Sequence, residues 1–265
     1  MDRRLIFVTG KGGVGKTTVA AALARRLAAR GRRVLLAPIA PGTLPPHSPG
    51  VTILPVDGAE ALTEYLGLVL PDAIVARVRA SLTYQRFVTA APGLRELMAL
   101  GKVAHEARSG AWDHVIVDAP ATGHLVELLR MPAAAAETFA GRVHREAERL
   151  LDELRNPDQT AFVIVTLAET LAVNETVALA GALADLRLPL AQIVVNRLAS
   201  APVSPEELAG DHPALACGRE QARWAQVGAR NLERVQLVAE MPLLTLPLLF
   251  PPDLDVIGAA LVGPS

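Results

Sequence analysis

Apolar residues along this chain follow two rhythms. Short unbroken runs at 5–9, 33–37, 114–117, 161–167, 192–195 and 235–241 have the length and apolar content of buried strands, with 51–56 as a further short one. Between them apolar residues recur at helical spacing. Residues 16–29 contain the good helix formers Val19-Ala20-Ala21-Ala22-Leu23-Ala24 and stop at Gly31. The stretch 59–110 is mostly helical, broken near Pro71 and at Ala91-Pro92-Gly93, and 133–155 is a further helix rich in Ala, Arg and Glu. Pro38, Pro41, Pro45, Pro46 and Pro49 make 38–50 a loop, and Ser204-Pro205-Glu206-Glu207 has the pattern of a capping box.

Strand, glycine loop, helix and strand at the start make a βαβ unit, which implies parallel pairing and a right-handed crossover. The same alternation over the whole chain predicts an α/β fold, a doubly wound and mostly parallel sheet. No internal repeat or low-complexity linker divides it, so residues 1–265 are expected to form one domain, with the segments 59–110 and 133–155 as a small helical subdomain inserted in it or laid on it.

Composition narrows the class. The chain has 265 residues, 51% hydrophobic and 20% charged, with a formal net charge of −1. That balance supports a folded core and gives no electrostatic case for nucleic-acid binding. A single cysteine, Cys217, excludes an intrachain disulfide framework and matches a reducing cytosol. The first apolar run is too short for a signal peptide, and Glu169, Glu240 and prolines interrupt the others before they reach the length of a membrane span. A soluble, cytoplasmic protein is expected. Lysine occurs only at 11, 16 and 102, and every other basic side chain apart from histidine is arginine. Two of these lysines stand in one short loop.

That loop, Gly10-Lys11-Gly12-Gly13-Val14-Gly15-Lys16-Thr17, satisfies G-x-x-x-x-G-K-[ST] between a predicted strand and a predicted helix. Glycines let backbone N–H groups face inward and cradle phosphate oxygens at the positive end of the helix. The pattern predicts ATP with Mg²⁺. Lys16 reaches the β- and γ-phosphates, Thr17 ligates the metal, and Thr18 donates to the α-phosphate. Asp118, at the end of the run 114–117, is the carboxylate that would hold the same metal through water.

Lys11 adds a second feature. GKGGVGKT resembles the deviant Walker A loop of the family that includes nitrogenase iron protein, the MinD and ParA division ATPases, and the arsenite-pump and tail-anchored-protein-targeting (ArsA/GET) ATPases. The resemblance implies that Lys11 crosses a face-to-face dimer to the partner's nucleotide, much as an arginine finger does; a solvated surface charge is the alternative. Asp118-Ala119-Pro120-Ala121-Thr122-Gly123-His124, followed by Leu128-Leu129-Arg130-Met131-Pro132, is similar to the switch II of the ArsA/GET branch. His124 there either senses the γ-phosphate or packs. Softer likenesses occur at Ala91–Leu97 and Asn156–Val163. Gln192-Ile193-Val194-Val195-Asn196 resembles the strand whose asparagine reads adenine, and Met241-Pro242-Leu243 the segment that packs on the base. Lys11, Lys16 and Asp118 are thus the candidate catalytic residues. Gly10 to Thr18, Asn196, Pro242 and Leu243 are the candidate nucleotide contacts.

Three departures from the pattern carry information. In switch I the register puts Ala40 where the family has an aspartate for the attacking water, and such a group is worth on the order of 10²–10⁴-fold in rate. No acid lies nearby; Asp57 falls past the next predicted strand. Cys217-Gly218-Arg219-Glu220 keeps only the first cysteine of a C-x-x-C, with Glu220 in place of the second, so zinc is not expected. The segment 133–155 lacks the methionines of a promiscuous client groove. Leu, Ala and Val of 59–110 form either a small groove or internal packing.

The leading expectation is a dimeric, ATP-binding switch of the ArsA/GET-like group with slow hydrolysis, working on a protein client or a membrane-protein partner. A non-hydrolysing subunit that heterodimerises with a complete paralogue is the second. A ParA/MinD-like positioning ATPase is the third, weakened by a C-terminal segment, 250–265, without Lys or Arg.

Overall fold

The computed structural model describes residues 2–39, 45–82, 84, 86, 93–198, 214–239 and 243–262. Among these, seven strands form one sheet: β1 (Leu5–Gly10), β2 (Val34–Pro38), β3 (Val51–Ile53), β4 (His114–Ala121), β5 (Thr160–Thr166), β6 (Leu190–Leu198) and β7 (Leu243–Pro247). Their order is β3-β2-β4-β1-β5-β6-β7, and every pairing is parallel. The helices are α1 (Lys16–Ala29), α2 (Gly58–Val69), α3 (Asp72–Ala80), α4 (Leu94–Arg108), α5 (Thr122–Thr138), α6 (Arg142–Arg155), α7 (Thr170–Asp185), α8 (Ala214–Ala239) and α9 (Leu254–Val262). The doubly wound α/β fold expected from the pattern is the fold observed.

Strand β1 shows why the sheet is buried on both faces. All six of its residues are buried, yet they alternate between two cores. Leu5 and Phe7 face the side covered by Leu100, Leu125, Leu154 and Val173, where Phe7 stacks on Phe162 with ring centroids 4.8 Å apart. Ile6 and Val8 face Val19, Leu23, Ile257 and Leu261 of α1 and α9. The result is three layers, helix–sheet–helix, with β1 central between β4 and β5.

Several boundaries differ from the sequence pattern. Of the run 235–241 the described residues, 235–239, are helix and not strand: α8 continues to Ala239, and β7 is found at Leu243–Pro247. Val235-Gln236-Leu237 alternates like a strand, but the buried positions are Gly228, Asn231 and Val235, spaced as one helix face, while Leu237 is 83% exposed. The helix expected at 133–155 is two helices. α5 starts at Thr122 and carries Pro132 inside it; the loss of one backbone bond there is outweighed by the buried stripe Leu125, Leu128, Leu129, Pro132 and Ala135. The chain then turns at Gly141, φ 70°, into α6. The first strand after the proline loop is shorter than expected, 51–53, although Leu54 N and Val56 N still donate to Leu36 O and Pro38 O of β2 at 2.9 and 2.8 Å. Asp57 is the N-cap of α2, accepting from Ala59 N and Glu60 N at 2.7 and 3.2 Å, and it also pairs with Arg95 at 2.9 Å. Ser204–Glu207, Ala91 and Pro92 lie outside the described residues.

Helix α9 lies against α1 because Gly258 has no side chain. A Cβ there would come within 2.7 Å of Ala22 O and 2.9 Å of Arg26 Cβ. Glycine to alanine inside a helix ordinarily stabilises by about 0.5–1 kcal/mol. Here the sign should reverse: Gly258→Ala is expected to lower stability by about 1–3 kcal/mol through overpacking. Urea unfolding of the two proteins measures this, and a more stable variant would contradict the described α1–α9 contact.

Candidate nucleotide site

The candidate residues from separate parts of the sequence converge at the carboxyl end of β1. Gly10 has φ 141°, and a Cβ on it would collide with Val165 O of β5, so the chain can leave the sheet here only as glycine. Gly13 and Gly15 also have positive φ, 84° and 95°. Val14 is buried in the α1 core and pins the loop. Nothing lies within 4 Å of a Cβ built on Gly12 or Gly13, so this side of the loop is open. Gly15 caps α1 without any side-chain hydrogen bond, and the first turn of α1 has no acidic residue. Uncapped N–H groups at a positive helix end, beside an open glycine loop, fit a phosphate group.

Lys16 and Thr17 open α1, with Thr18 beside them in its first turn. Lys16 Nζ donates to Lys11 O at 3.1 Å. Burial pushes the Lys16 ammonium below its ordinary pKa, against the opposing pull of Asp118 and Glu175. Thr17 Oγ1 donates to Asp118 Oδ2 at 2.6 Å, across the β1–β4 pairing that sets Val8 opposite Asp118. Asp118 is only 6% exposed. Burial raises its carboxyl pKa above the usual range, while the Thr17 hydrogen bond and the Lys16 charge act the other way. A hydroxyl and a carboxylate oxygen at this spacing are hard donors of the kind Mg²⁺ takes. Ile39 N donates to the backbone carbonyl of Asp118 at 3.1 Å, so the last described residue before Ala40 is held at the end of β4. Ala40 itself lies outside the described residues.

Glu175 is the residue the sequence reading missed. It sits on α7, with Oε1 3.7 Å from Lys11 Nζ and Oε2 accepting from Thr122 Oγ1 at 3.1 Å. It therefore joins the loop's leading lysine to the start of α5. No local pattern marks it, because the contact joins three elements distant in sequence. Asn196, 5% exposed, is also placed at the loop: its Nδ2 donates to Val14 O at 2.9 Å and its Oδ1 accepts from Arg197 N at 2.9 Å. Leu243 begins β7 opposite Ile193 and packs, partly buried, against the core cluster that contains Ile193, while Pro242 lies outside the described residues. His124 is exposed in the first turn of α5, so it does not pack. Cys217 is exposed on α8, and Glu220 lies 3.7 Å from Arg223 on the same helix. Among the described residues no helix is long and apolar enough to cross a membrane.

A glycine loop between a central parallel strand and a helix, with lysine and threonine at the helix start and a strand-end aspartate bonded to that threonine, defines a P-loop nucleotide-binding protein. Residues 5–209 match the CobQ/CobB/MinD/ParA nucleotide binding domain. The chain is 34% identical over 233 residues to ATPase BagA of Mycobacterium tuberculosis, covering 78% of this chain and 68% of that protein. It is 28% identical over 264 residues to an arsenical pump-driving ATPase of Acidiphilium multivorum, covering 84% of this chain and 44% of that protein. It is 26% identical over 243 residues to the ATPase ASNA1 homolog of Dictyostelium discoideum, covering 73% and 71%. The chain belongs to the CobQ/CobB/MinD/ParA nucleotide-binding family, on the branch of the ArsA/GET-type ATPases.

The raised Asp118 pKa has a stability consequence. A carboxyl that holds its proton more tightly in the folded than in the unfolded chain makes stability fall as pH rises from the unfolded pKa through the folded one. Asp118→Asn removes the buried charge, keeps an acceptor for Thr17, and is expected to raise the melting temperature of the metal-free protein at pH 7. The gain should shrink as the pH is lowered toward 4, where Asp118 of the unsubstituted protein becomes protonated. Calorimetry at the two pH values tests the sign; a variant less stable at both would refute it.

Proposed function

We propose that this protein is an ATP-binding, Mg²⁺-dependent switch whose two nucleotide-bound subunits close on each other, and which hydrolyses ATP slowly. The observation that carries the reading is the open, uncapped Gly10–Thr18 loop joined to Asp118 through Thr17. In this reading the loop amides hold the phosphates, Lys16 neutralises their charge, and Thr17 and Asp118 hold Mg²⁺. The metal, when bound there, supplies further charge neutralisation at the β- and γ-phosphates.

Lys11 is the dimer element in this proposal. In the single chain its ammonium lies 3.7 Å from Glu175, half-exposed. An ion pair at such exposure is worth about 0–1 kcal/mol. It is weak enough to be exchanged for the triphosphate of a facing subunit, a more highly charged partner. Thr122 and α5 share Glu175 with Lys11, so release of the lysine would alter a contact at the start of the switch II helix. The helical segments 59–110 and 133–155 are the surface this change would rearrange to take or release a protein client. Ala40 removes the acid that would activate water, which is why turnover is expected to be slow. The same alanine favours one second reading, a subunit that pairs with a catalytically complete paralogue. Arsenite handling has no support in a lone exposed cysteine.

Light scattering with and without ATP and Mg²⁺, alongside phosphate release on the same sample, tests the proposal. Nucleotide should convert a monomer or loose dimer to a closed dimer with little phosphate released. Lys16→Ala should weaken ATP binding by at least about 100-fold. Lys11→Ala should bind ATP but fail to close. Ala40→Asp should raise turnover on the order of 10²-fold. If Lys16→Ala binds ATP normally and Ala40→Asp turns over no faster, both role assignments are wrong.

A further inference from the structure

Two carboxylates act on the Lys16 ammonium, and they reach it from opposite faces of the sheet. Asp118 lies on the α1 face, in register with Val8. Glu175 belongs to α7, which covers the other face with Val173 and Leu179. Asp118 is buried and committed to Thr17, on the side where the metal is expected. Glu175 is held differently. Its Oε2 accepts from Thr122 Oγ1 at 3.1 Å, while its Oε1 lies 3.7 Å from Lys11 Nζ, beyond hydrogen-bonding distance. The side chain is 44% exposed. Oε1 therefore has lone pairs open to water.

The position of this carboxylate is specific. Lys11 is the front of the glycine loop, and Thr122 opens α5 four residues after Asp118. Glu175 spans the gap between them, next to the lysine that marks the terminal phosphates in the P-loop reading. Thr9, the residue before Gly10, faces the same side of the sheet, because it pairs in register with Ile164. It is wholly buried, and its hydroxyl has no hydrogen-bond partner among the described residues. The flank of the loop on which Glu175 sits is thus polar down to the sheet. Phosphoryl transfer to water needs a group at such a place, one that orients the attacking water or takes its proton. Ala40 has no such group.

We propose that Glu175 takes the place of the missing switch I acid as the catalytic base for the slow hydrolysis, with Thr122 holding its carboxylate in position. The water oxygen forms a bond to the γ-phosphorus. The bond from that phosphorus to the bridging oxygen breaks, and its electron pair leaves with ADP. The water proton passes to Glu175 and from there to solvent, which the exposed side chain reaches. In the single chain Lys11 lies against the same carboxylate. When Lys11 is drawn to the triphosphate of a facing subunit, Oε1 loses this ion pair and is free for water, which confines turnover to the closed dimer. The assignment rests on the ATP-switch reading given above and adds the residue responsible for the rate that Ala40 leaves.

Phosphate release by the full chain at saturating ATP and Mg²⁺, with ATP affinity measured by isothermal titration on the same samples, tests this role. Glu175→Gln keeps the size of the side chain and an acceptor for Thr122 but removes its basicity. It should bind ATP as the unsubstituted protein does and release phosphate on the order of 10²-fold more slowly. In the Ala40→Asp background, where the switch I acid is restored, the same Glu175→Gln change should cost less than about threefold. A purely structural role would cost the same in both backgrounds, so equal losses overturn the proposal. A Glu175→Gln protein that turns over normally or faster also overturns it, since that result is expected if Glu175 only restrains Lys11. An unsubstituted protein that binds ATP and releases no phosphate overturns the proposal and leaves the nucleotide-binding reading standing. One that binds no ATP overturns both.

Discussion

The turn from β1 into α1 sets the terms for the rest of the site. Between Gly10 and Gly15 the chain must leave a sheet buried on both faces and start a helix almost at once. It does so with three positive φ values, under a β5 carbonyl that leaves no room for a side chain on Gly10. A turn built this way cannot cap the helix it opens. The first N–H groups of α1 stay without a side-chain partner, and the positive end of the helix stays uncompensated. Such a terminus is stable as part of a fold only because Val14 and the buried face of α1 anchor it from behind.

The charges around the turn are arranged so that none is neutralised outright. Lys16 is half-buried and near Asp118, but its ammonium donates to the backbone carbonyl of Lys11. Asp118 gives one oxygen to a neutral hydroxyl. Glu175 shares its two oxygens between Lys11 and Thr122, which belong to different elements. Partial compensation of this kind makes a site responsive, because an incoming polyanion or a second subunit can displace contacts that are individually weak. Asp57 shows the contrast. Its carboxylate is committed to the cap of α2 and to Arg95, and so it has no free role at the site.

The P-loop, the strand-end aspartate beside it and the α/β class were legible in the sequence because each is a local pattern: a glycine and lysine spacing, a strand-end acid, alternating runs of apolar residues. The errors arose where a local pattern had two readings. Val235-Gln236-Leu237 reads as a strand until the buried positions four and seven residues upstream are known. Pro132 reads as a boundary until the stripe on both sides of it is found packed.

The sequence alone determined which backbone conformations were allowed at the loop and which side chains could meet phosphate and metal, since glycine, lysine, threonine and aspartate carry those capacities wherever they fold. Only the tertiary structure decided what those groups touch. Glu175 meets Lys11, and Arg197 lies beside Gly15, through parallel strand order and one strand irregularity, which bring together residues more than 160 positions apart. Side chains so distant in the chain carry no mark of each other in any local stretch. Their proximity is a property of the packed sheet.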